Sequence, residues 1–180
     1  LWDNVQNGPR KDSVNLIVVS DHGMTMVTPE RKIECRKYLK PYWFDRIEGN
    51  LPAQIYCKKQ YIDSVYNALK DIPHQRVWRR NEIPAYLHYD SNKNIGDVVV
   101  SPDEGWLVYD QEVTTGGMHG YDPEYSDMHA IFRAMGPDFK KTEIPHFRNV
   151  DIYDLMCHLL NITPAKNDGN LEEIKSILKN

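Results

Sequence analysis

The sequence predicts an α/β domain with a mostly parallel sheet flanked by helices and a small β-rich insert. Three observations indicate this class. An aliphatic run at residues 14–20 is typical of a strand buried on both faces. Strand-like and helix-like segments alternate along the chain. In the middle, two β-prone runs flank a Pro-Asp-Glu-Gly turn sequence at residues 102–105.

The elements follow from local patterns. In residues 60–72 the apolar positions Ile62, Val65 and Leu69 form a helical stripe, and Pro73 lies just beyond. A second helix is expected at residues 151–160, capped by Asn149 or Asp151. The segments expected as strands are residues 14–20, 51–57, 76–78, 86–89, 95–101, 105–109 and 130–135. The remaining assignments are a helix end and polar loop at 1–13, a loop or short helix start at 25–32, an irregular glycine-rich stretch at 113–121 and a short helix at 171–178.

Composition limits the functional classes. The 180 residues carry a net charge of −4, with 41% hydrophobic and 27% charged residues, which is typical of one folded domain. A net negative charge argues against a nucleic-acid coat or a membrane-surface protein. The basic cluster at residues 76–80 is short and is followed by Glu82, so it is interpreted as a solvated face. No apolar run reaches 18 residues, so no transmembrane segment is expected.

The chain starts at Leu1, within what reads as the end of a helix, and we therefore expect it to be a fragment. The three cysteines lack the spacing of a metal site. A disulfide between Cys35 and Cys57 is one option in an oxidising compartment, and free buried thiols fit the sequence at least as well; Cys157 is the third cysteine.

The first candidate functional residues follow the aliphatic strand directly. Asp21 and His22 stand at its carboxyl end, where α/β folds place their sites, and Gly23 allows the backbone to turn. The alternative is that Asp21 caps the next turn and His22 is an ordinary loop histidine.

The second candidate is His119, which lies in a glycine-rich stretch that allows close approach to a site. Asp122 is expected to orient an imidazole or to bind a cation itself, and His129 is expected to pack or to support the site from behind. The alternative is a surface loop. Asp21, His22 and His119 together are ligands suited to zinc, with iron or manganese as other options.

These motifs together resemble the nucleotide pyrophosphatase/phosphodiesterase family, the type I phosphodiesterases of the alkaline phosphatase superfamily. The similarity runs in order through nearly the whole chain, which makes it specific. The segments that carry it are residues 20–25 (SDHGMT), 102–106 (PDEGW), 119–122 (HGYD), 128–132 (MHAIF), 136–139 (GPDF) and 150–157 (VDIYDLMC).

The resemblance implies an alkaline-phosphatase-like sheet, two zinc ions and hydrolysis of phosphodiester or pyrophosphate bonds, commonly of nucleotides, through a threonyl intermediate. Asp21 and His22 would bind one zinc and His119 the other. The nucleophilic threonine and the other ligands would lie upstream, so residues 1–180 correspond to the C-terminal portion of the catalytic domain, with no catalytic residue of their own. We expect this portion alone to be inactive and to require the missing N-terminal half as its partner. Family members are usually exported or anchored facing outward, which implies an extracytoplasmic location.

Two other functions fit the same residues. One is a phosphomonoesterase, phosphonate hydrolase or sulfatase-like relative of the same superfamily, which the His-Gly-Tyr-Asp stretch at residues 119–122 disfavours. The other is a non-catalytic metal-binding or interaction domain, which the missing nucleophile favours. The choice of substrate, between nucleotide, lipid and choline diesters, is not readable from this sequence.

Overall fold

The computed structural model describes residues 1–90, 92–109 and 113–179, and its elements match the α/β class. The helices in these ranges are α1 (Trp2–Gln6), α2 (Ile62–Leu69) and α3 (Asp151–Leu159). The strands are β1 (Leu16–Val19), β2 (Thr25–Val27), β3 (Lys32–Ile33), β4 (Phe44–Glu48), β5 (Ala53–Cys57), β6 (Gln75–Arg79), β7 (Val98–Pro102), β8 (Leu107–Val108), β9 (Gly116–Met118) and β10 (Phe132–Met135). No helix in the described ranges has the length and apolar character needed to cross a membrane.

The chain divides into two compact units. The first comprises residues 1–21 and 130–180, and the second comprises residues 22–129. Each unit has its own hydrophobic clusters.

The second unit is built on a four-stranded antiparallel sheet in the order β4-β5-β7-β6. The central strand β7 is buried almost throughout, with Val98 and Val100 fully covered. Helix α2 covers one face of the sheet through Val65 and Leu69, which are also fully buried. The apolar stripe predicted for this helix is therefore the face that packs on the sheet.

Two short ladders complete the second unit. Strand β2 pairs with β9 antiparallel, with Thr25 opposite Met118, and β3 pairs with β8 in parallel. Val27 faces inward from β2 and is 2% exposed, in a cluster with Leu107, Tyr121 and Met128. This cluster holds the backbone on which the candidate site is built.

The first unit pairs β1 with β10 antiparallel and packs both against α3. The core of this unit includes Leu155 of α3, which is fully buried, and Ile17 of β1 lies against it. The strand predicted at residues 14–20 is confirmed, but the burial expected on both of its faces is not. Val18 and Val19 are 46% and 48% exposed, because β10 is the one neighbour of β1 in the described part of the chain.

The α/β class is confirmed, whereas the strand directions differ from the mostly parallel sheet that was expected. Within the described residues β3 and β8 form the parallel pair, and the other pairings are antiparallel. The short connection between β4 and β5 explains why this pair is antiparallel. Parallel neighbours need a crossover connection of a dozen or more residues, which a hairpin does not provide. The β-rich insert was predicted correctly and is the four-stranded sheet with its ladders.

Four local assignments were wrong. Residues 25–27 and 116–118 form strands β2 and β9, and the strand predicted at 86–89 is instead a 3₁₀ turn at Ala85–Leu87. The helix predicted at 171–178 is a pair of 3₁₀ turns, Leu171–Glu173 and Lys175–Ile177.

The cysteines form no disulfide bond within the described residues. Burial, together with the nearby carboxylates of Asp97 and Asp45, raises the pKa of the Cys57 thiol to about 12. An ordinary thiol with a pKa of about 8.5 carries on the order of 10³ times more thiolate at pH 8 than the Cys57 thiol does. The thiolate is the form that reacts with alkylating agents.

We therefore expect iodoacetamide at pH 8 to alkylate Cys57 at least about 100-fold more slowly in the folded chain than in urea. Peptide mass spectrometry over a time course measures both rates. Equal rates in the two states would show that the thiol is not protected in the way that its surroundings indicate.

Candidate functional site

The site centres on two imidazole rings in the second unit. The rings of His22 and His119 stack face to face, with 3.6 Å between their centroids and 15° between their planes. His22 is half-buried and His119 is exposed, so the pair lies at the surface of the unit. Two histidines from distant parts of the sequence therefore present their ring nitrogens side by side.

The β2–β9 ladder brings the two histidines together. His22 precedes the first residue of β2, Thr25, by one short turn, and His119 follows Met118, the last residue of β9. Because Thr25 and Met118 are opposite each other in an antiparallel pair, the residues flanking them meet at the same end of the ladder.

Gly23 fixes the turn that carries His22. Its N–H donates to the carbonyl oxygen of Met128 at 3.0 Å, and a side chain at this position would collide with the backbone carbonyl of Asp127. Its own carbonyl oxygen lies 2.7 Å from Nδ1 of His22. Since a carbonyl only accepts, Nδ1 is the protonated nitrogen, and the neutral ring then carries its lone pair at Nε2.

This arrangement fits a zinc ligand. Metal-binding histidines commonly donate their second ring nitrogen to a backbone carbonyl, which fixes the tautomer and the ring orientation. Two imidazoles are also a donor set that suits zinc, whereas magnesium and calcium prefer oxygen ligands. Within residues 1–90, 92–109 and 113–179, however, no group of three or more His, Cys, Asp and Glu side chains is placed to hold a metal ion.

Asp21, the third expected ligand, is the last residue of the first segment (1–21) of the first unit. It lies two residues after β1 and is exposed. The structure thus brings together His22 and His119, which both belong to the second unit. Asp21 belongs to the first unit. The assignment of Asp21, His22 and His119 as metal ligands stays a prediction.

Asp122 is buried, with 5% of its surface exposed, and its carboxylate accepts three hydrogen bonds. Oδ2 accepts from Nη1 of Arg76 at 2.8 Å and from the Tyr86 hydroxyl at 2.5 Å, and Oδ1 accepts from the Glu124 backbone N–H at 3.0 Å. The expected role of Asp122, orienting an imidazole or binding a cation, stays a prediction. Its described contacts include an ion pair between its buried carboxylate and the partly exposed Arg76.

These contacts determine the acidity of Asp122. Burial acts to raise the pKa of the carboxyl, but the hydrogen bonds from Tyr86, Glu124 and Arg76 outweigh burial, and the net effect is a pKa below the ordinary value of 3.8. The unfolded chain therefore binds the proton more readily than the folded chain does. Asp122 contributes stability above pH 3.8, and this contribution is lost as the pH falls through the lower pKa of the folded state.

We expect the free energy of unfolding to fall more steeply between pH 5 and pH 3 in the wild-type chain than in the Asp122→Asn variant, which cannot ionise at this position. Urea titrations at half-unit pH intervals measure both curves. Parallel curves would contradict the assignment of the low pKa to Asp122.

His129, the other residue expected to support the site, lies at the end of the second unit and is exposed. Its backbone N–H donates to the Ser126 carbonyl at 3.1 Å, and its own carbonyl lies against Gly23. The backbone of His129 thus borders the turn that carries His22, and a role for its imidazole stays a prediction.

Sequence reasoning missed Arg76 and Tyr86. The basic cluster at residues 76–80 was expected to be solvated, which is wrong for Arg76, since this residue pairs with a buried carboxylate 46 positions along the chain. The alternation of β6 was a partial signal, because Val77 faces the core and its two neighbours point to the opposite face.

Comparisons with known proteins give the family. Residues 1–122 match the family model for type I phosphodiesterase/nucleotide pyrophosphatase. Human ectonucleotide pyrophosphatase/phosphodiesterase family member 5 is 37% identical over 93% of this chain and 36% of its own length. The venom phosphodiesterase of Naja atra is 34% identical over all of this chain and 23% of its own length.

Solved structures agree. The structure of human ectonucleotide pyrophosphatase/phosphodiesterase 5 superposes with a TM-score of 0.90 at 33% identity, covering 99% of this chain and 49% of that one. An inactive variant of the murine protein in complex with AMP superposes with a TM-score of 0.88 at 35% identity, covering 98% and 48%. The chain thus spans half or less of the length of these relatives. It belongs to the type I phosphodiesterase/nucleotide pyrophosphatase family.

Proposed function

We propose that the chain supplies metal ligands to a two-zinc centre that hydrolyses phosphodiester or pyrophosphate bonds of nucleotides. The stacked pair of His22 and His119 is the observation that carries this proposal. Family membership supports the reaction class, and the AMP complex of the murine relative supports a nucleotide substrate for that protein.

The chain is proposed to act as part of a longer catalytic domain, as its coverage of the relatives supports. We call the longer protein that contains residues 1–180 and the N-terminal half of this catalytic domain the parent protein. Residues 1–180 by themselves are expected to be inactive, because the threonine nucleophile and the remaining ligands belong to that other half. The relatives are an ectonucleotide enzyme and a venom enzyme, which supports an extracytoplasmic location for the parent protein.

In this mechanism the residues of the chain bind and orient. His22 presents Nε2, because its Nδ1–H is held by the Gly23 carbonyl at 2.7 Å. His119 is kept beside it by the stack and by the ladder residue Met118. Asp21, which precedes His22, adds a carboxylate ligand. Two zinc ions, when bound, supply Lewis-acid stabilisation of the attacking and leaving oxygens. The threonine of the other half is the nucleophile, so that hydrolysis passes through a threonyl intermediate.

Turnover of two nitrophenyl substrates by the parent protein tests the reaction class. A nitrophenyl nucleotide diester is expected to be hydrolysed with a higher kcat/KM than nitrophenyl phosphate, and a chelator is expected to abolish turnover until zinc is restored. Faster turnover of the monoester would favour the phosphomonoesterase alternative, and no turnover of either would favour a non-catalytic domain. Turnover of the diester by residues 1–180 alone would contradict the proposed division of the site.

A further inference from the structure

We infer that Arg76 and Tyr86 are positioning residues for His119, acting through Asp122. This inference rests on the proposed function and adds residues to it. The loop from His119 to Asp122 carries a proposed metal ligand at its first position and a buried carboxylate at its last. Whatever holds that carboxylate also limits where the imidazole can move.

Both anchors come from outside the loop. Arg76 lies on β6 of the four-stranded sheet and reaches Asp122 at 2.8 Å, and Tyr86 lies in the 3₁₀ turn Ala85–Leu87 and donates at 2.5 Å. The Arg76 guanidinium also lies 5.6 Å from the ring centroid of Trp78, which limits its motion. A nearly fully buried carboxylate depends on such partners, because losing one of them leaves a charge without compensation.

The backbone of the loop transmits this constraint to His119. On the N-terminal side, Met118 is held in the ladder opposite Thr25. On the C-terminal side, the Tyr121 hydroxyl donates to the Trp106 carbonyl at 3.0 Å, and Asp122 follows directly. Gly120 has a φ of +105°, and a side chain there would come within 2.8 Å of the Leu51 carbonyl, so the loop passes close to that segment.

His119 therefore sits between two fixed points. Removing the Arg76–Asp122 pair releases one of them and leaves the Tyr121 contact in place, so a partial loss of ligand geometry is expected. Residues that orient a metal ligand from behind typically contribute 10–100-fold to metal affinity, and the lower part of this range applies here.

Arg80 provides a matched control. It pairs with Asp97 at 2.9 Å, and its side chain is 31% exposed, close to the 38% of Arg76. The Arg80–Asp97 pair links the end of β6 to the residue preceding β7 and does not involve the His119 loop. Arg76→Met and Arg80→Met thus each remove one arginine–aspartate pair of the same unit.

The experiment measures zinc affinity by chelator competition in the parent protein, with urea unfolding of each metal-free variant in parallel. Arg76→Met is expected to weaken zinc binding about 10-fold, and Tyr86→Phe about 3-fold. Arg80→Met is expected to stay within about 2-fold of wild type even where it lowers stability. Arg76→Lys keeps a cation for Asp122 but loses the planar guanidinium over the Trp78 ring, so it is expected to recover part of the affinity.

Equal zinc affinities for Arg76→Met and Arg80→Met would overturn the inference, and so would a loss at Arg76 that Lys does not reduce. If Arg76→Met does not fold, Tyr86→Phe, which removes one hydroxyl from an exposed ring, gives the same reading, and wild-type affinity in it overturns the inference. A wild-type parent protein that binds no zinc overturns the proposed function, and this inference with it.

Discussion

Replacing His119 by alanine in the parent protein is expected to lower kcat/KM for a nucleotide phosphodiester by at least about 100-fold. Loss of a residue that only orients a metal ligand already costs 10–100-fold in affinity or activity, and loss of the ligand itself removes a direct bond to the metal. The same substitution ends the stack with His22, so the remaining imidazole loses a face-to-face neighbour at 3.6 Å. Steady-state kinetics with zinc in excess, together with the bound-metal content, measures the effect.

His158→Ala is the control for this experiment. His158 is an exposed histidine of α3, in the other compact unit, and no proposed role depends on it. Its replacement is expected to change kcat/KM by less than about 2-fold, as is usual for surface substitutions. If His119→Ala retained both metal content and activity at the level of His158→Ala, His119 would not be a ligand.

The sequence was sufficient to find the two histidines and insufficient to find what aligns them. Asp21–His22–Gly23 after an aliphatic run, and a histidine among glycines, are signals of residue type and spacing. The ladder that joins them was not readable, because each of its strands has three residues and one contains Gly116 and Gly117, which have low β-propensity. Such strands form because their partners and the Val27 cluster stabilise them.

The Arg76–Asp122 pair could not be predicted from the sequence for a different reason. A strand pattern indicates which face a side chain lies on, but it does not indicate which distant loop lies above that face. From the sequence, Arg76 was predicted to be a solvated charge on the face opposite Val77. In the fold, the carboxylate of a residue 46 positions away lies against it. The α2 helix, by contrast, was predictable, since its apolar stripe is local and packs on the nearest sheet.

Replacing Asp151 by alanine is expected to destabilise the chain by about 3 kcal/mol, the largest stability effect that we expect. Asp151 begins α3 and is fully buried. Its carboxylate accepts from Nη2 and the backbone N–H of Arg148 at 3.0 and 3.2 Å, and from the Asn170 backbone N–H at 2.9 Å. Alanine leaves both backbone donors without this acceptor and removes a negative charge from the positive end of the helix dipole.

Asp154→Ala separates this network from the general effect of charge near the helix start. Asp154 also lies in the first turn of α3, but its carboxylate accepts from the exposed side-chain amide of Asn167, at 2.9 Å. Its loss is expected to cost less than about 1 kcal/mol. Urea unfolding of both variants at neutral pH measures the difference. Similar losses for the two would mean that helix-dipole stabilisation accounts for Asp151, whereas a gap of about 2 kcal/mol assigns the excess to the buried carboxylate that joins α3 to the Asn170 segment.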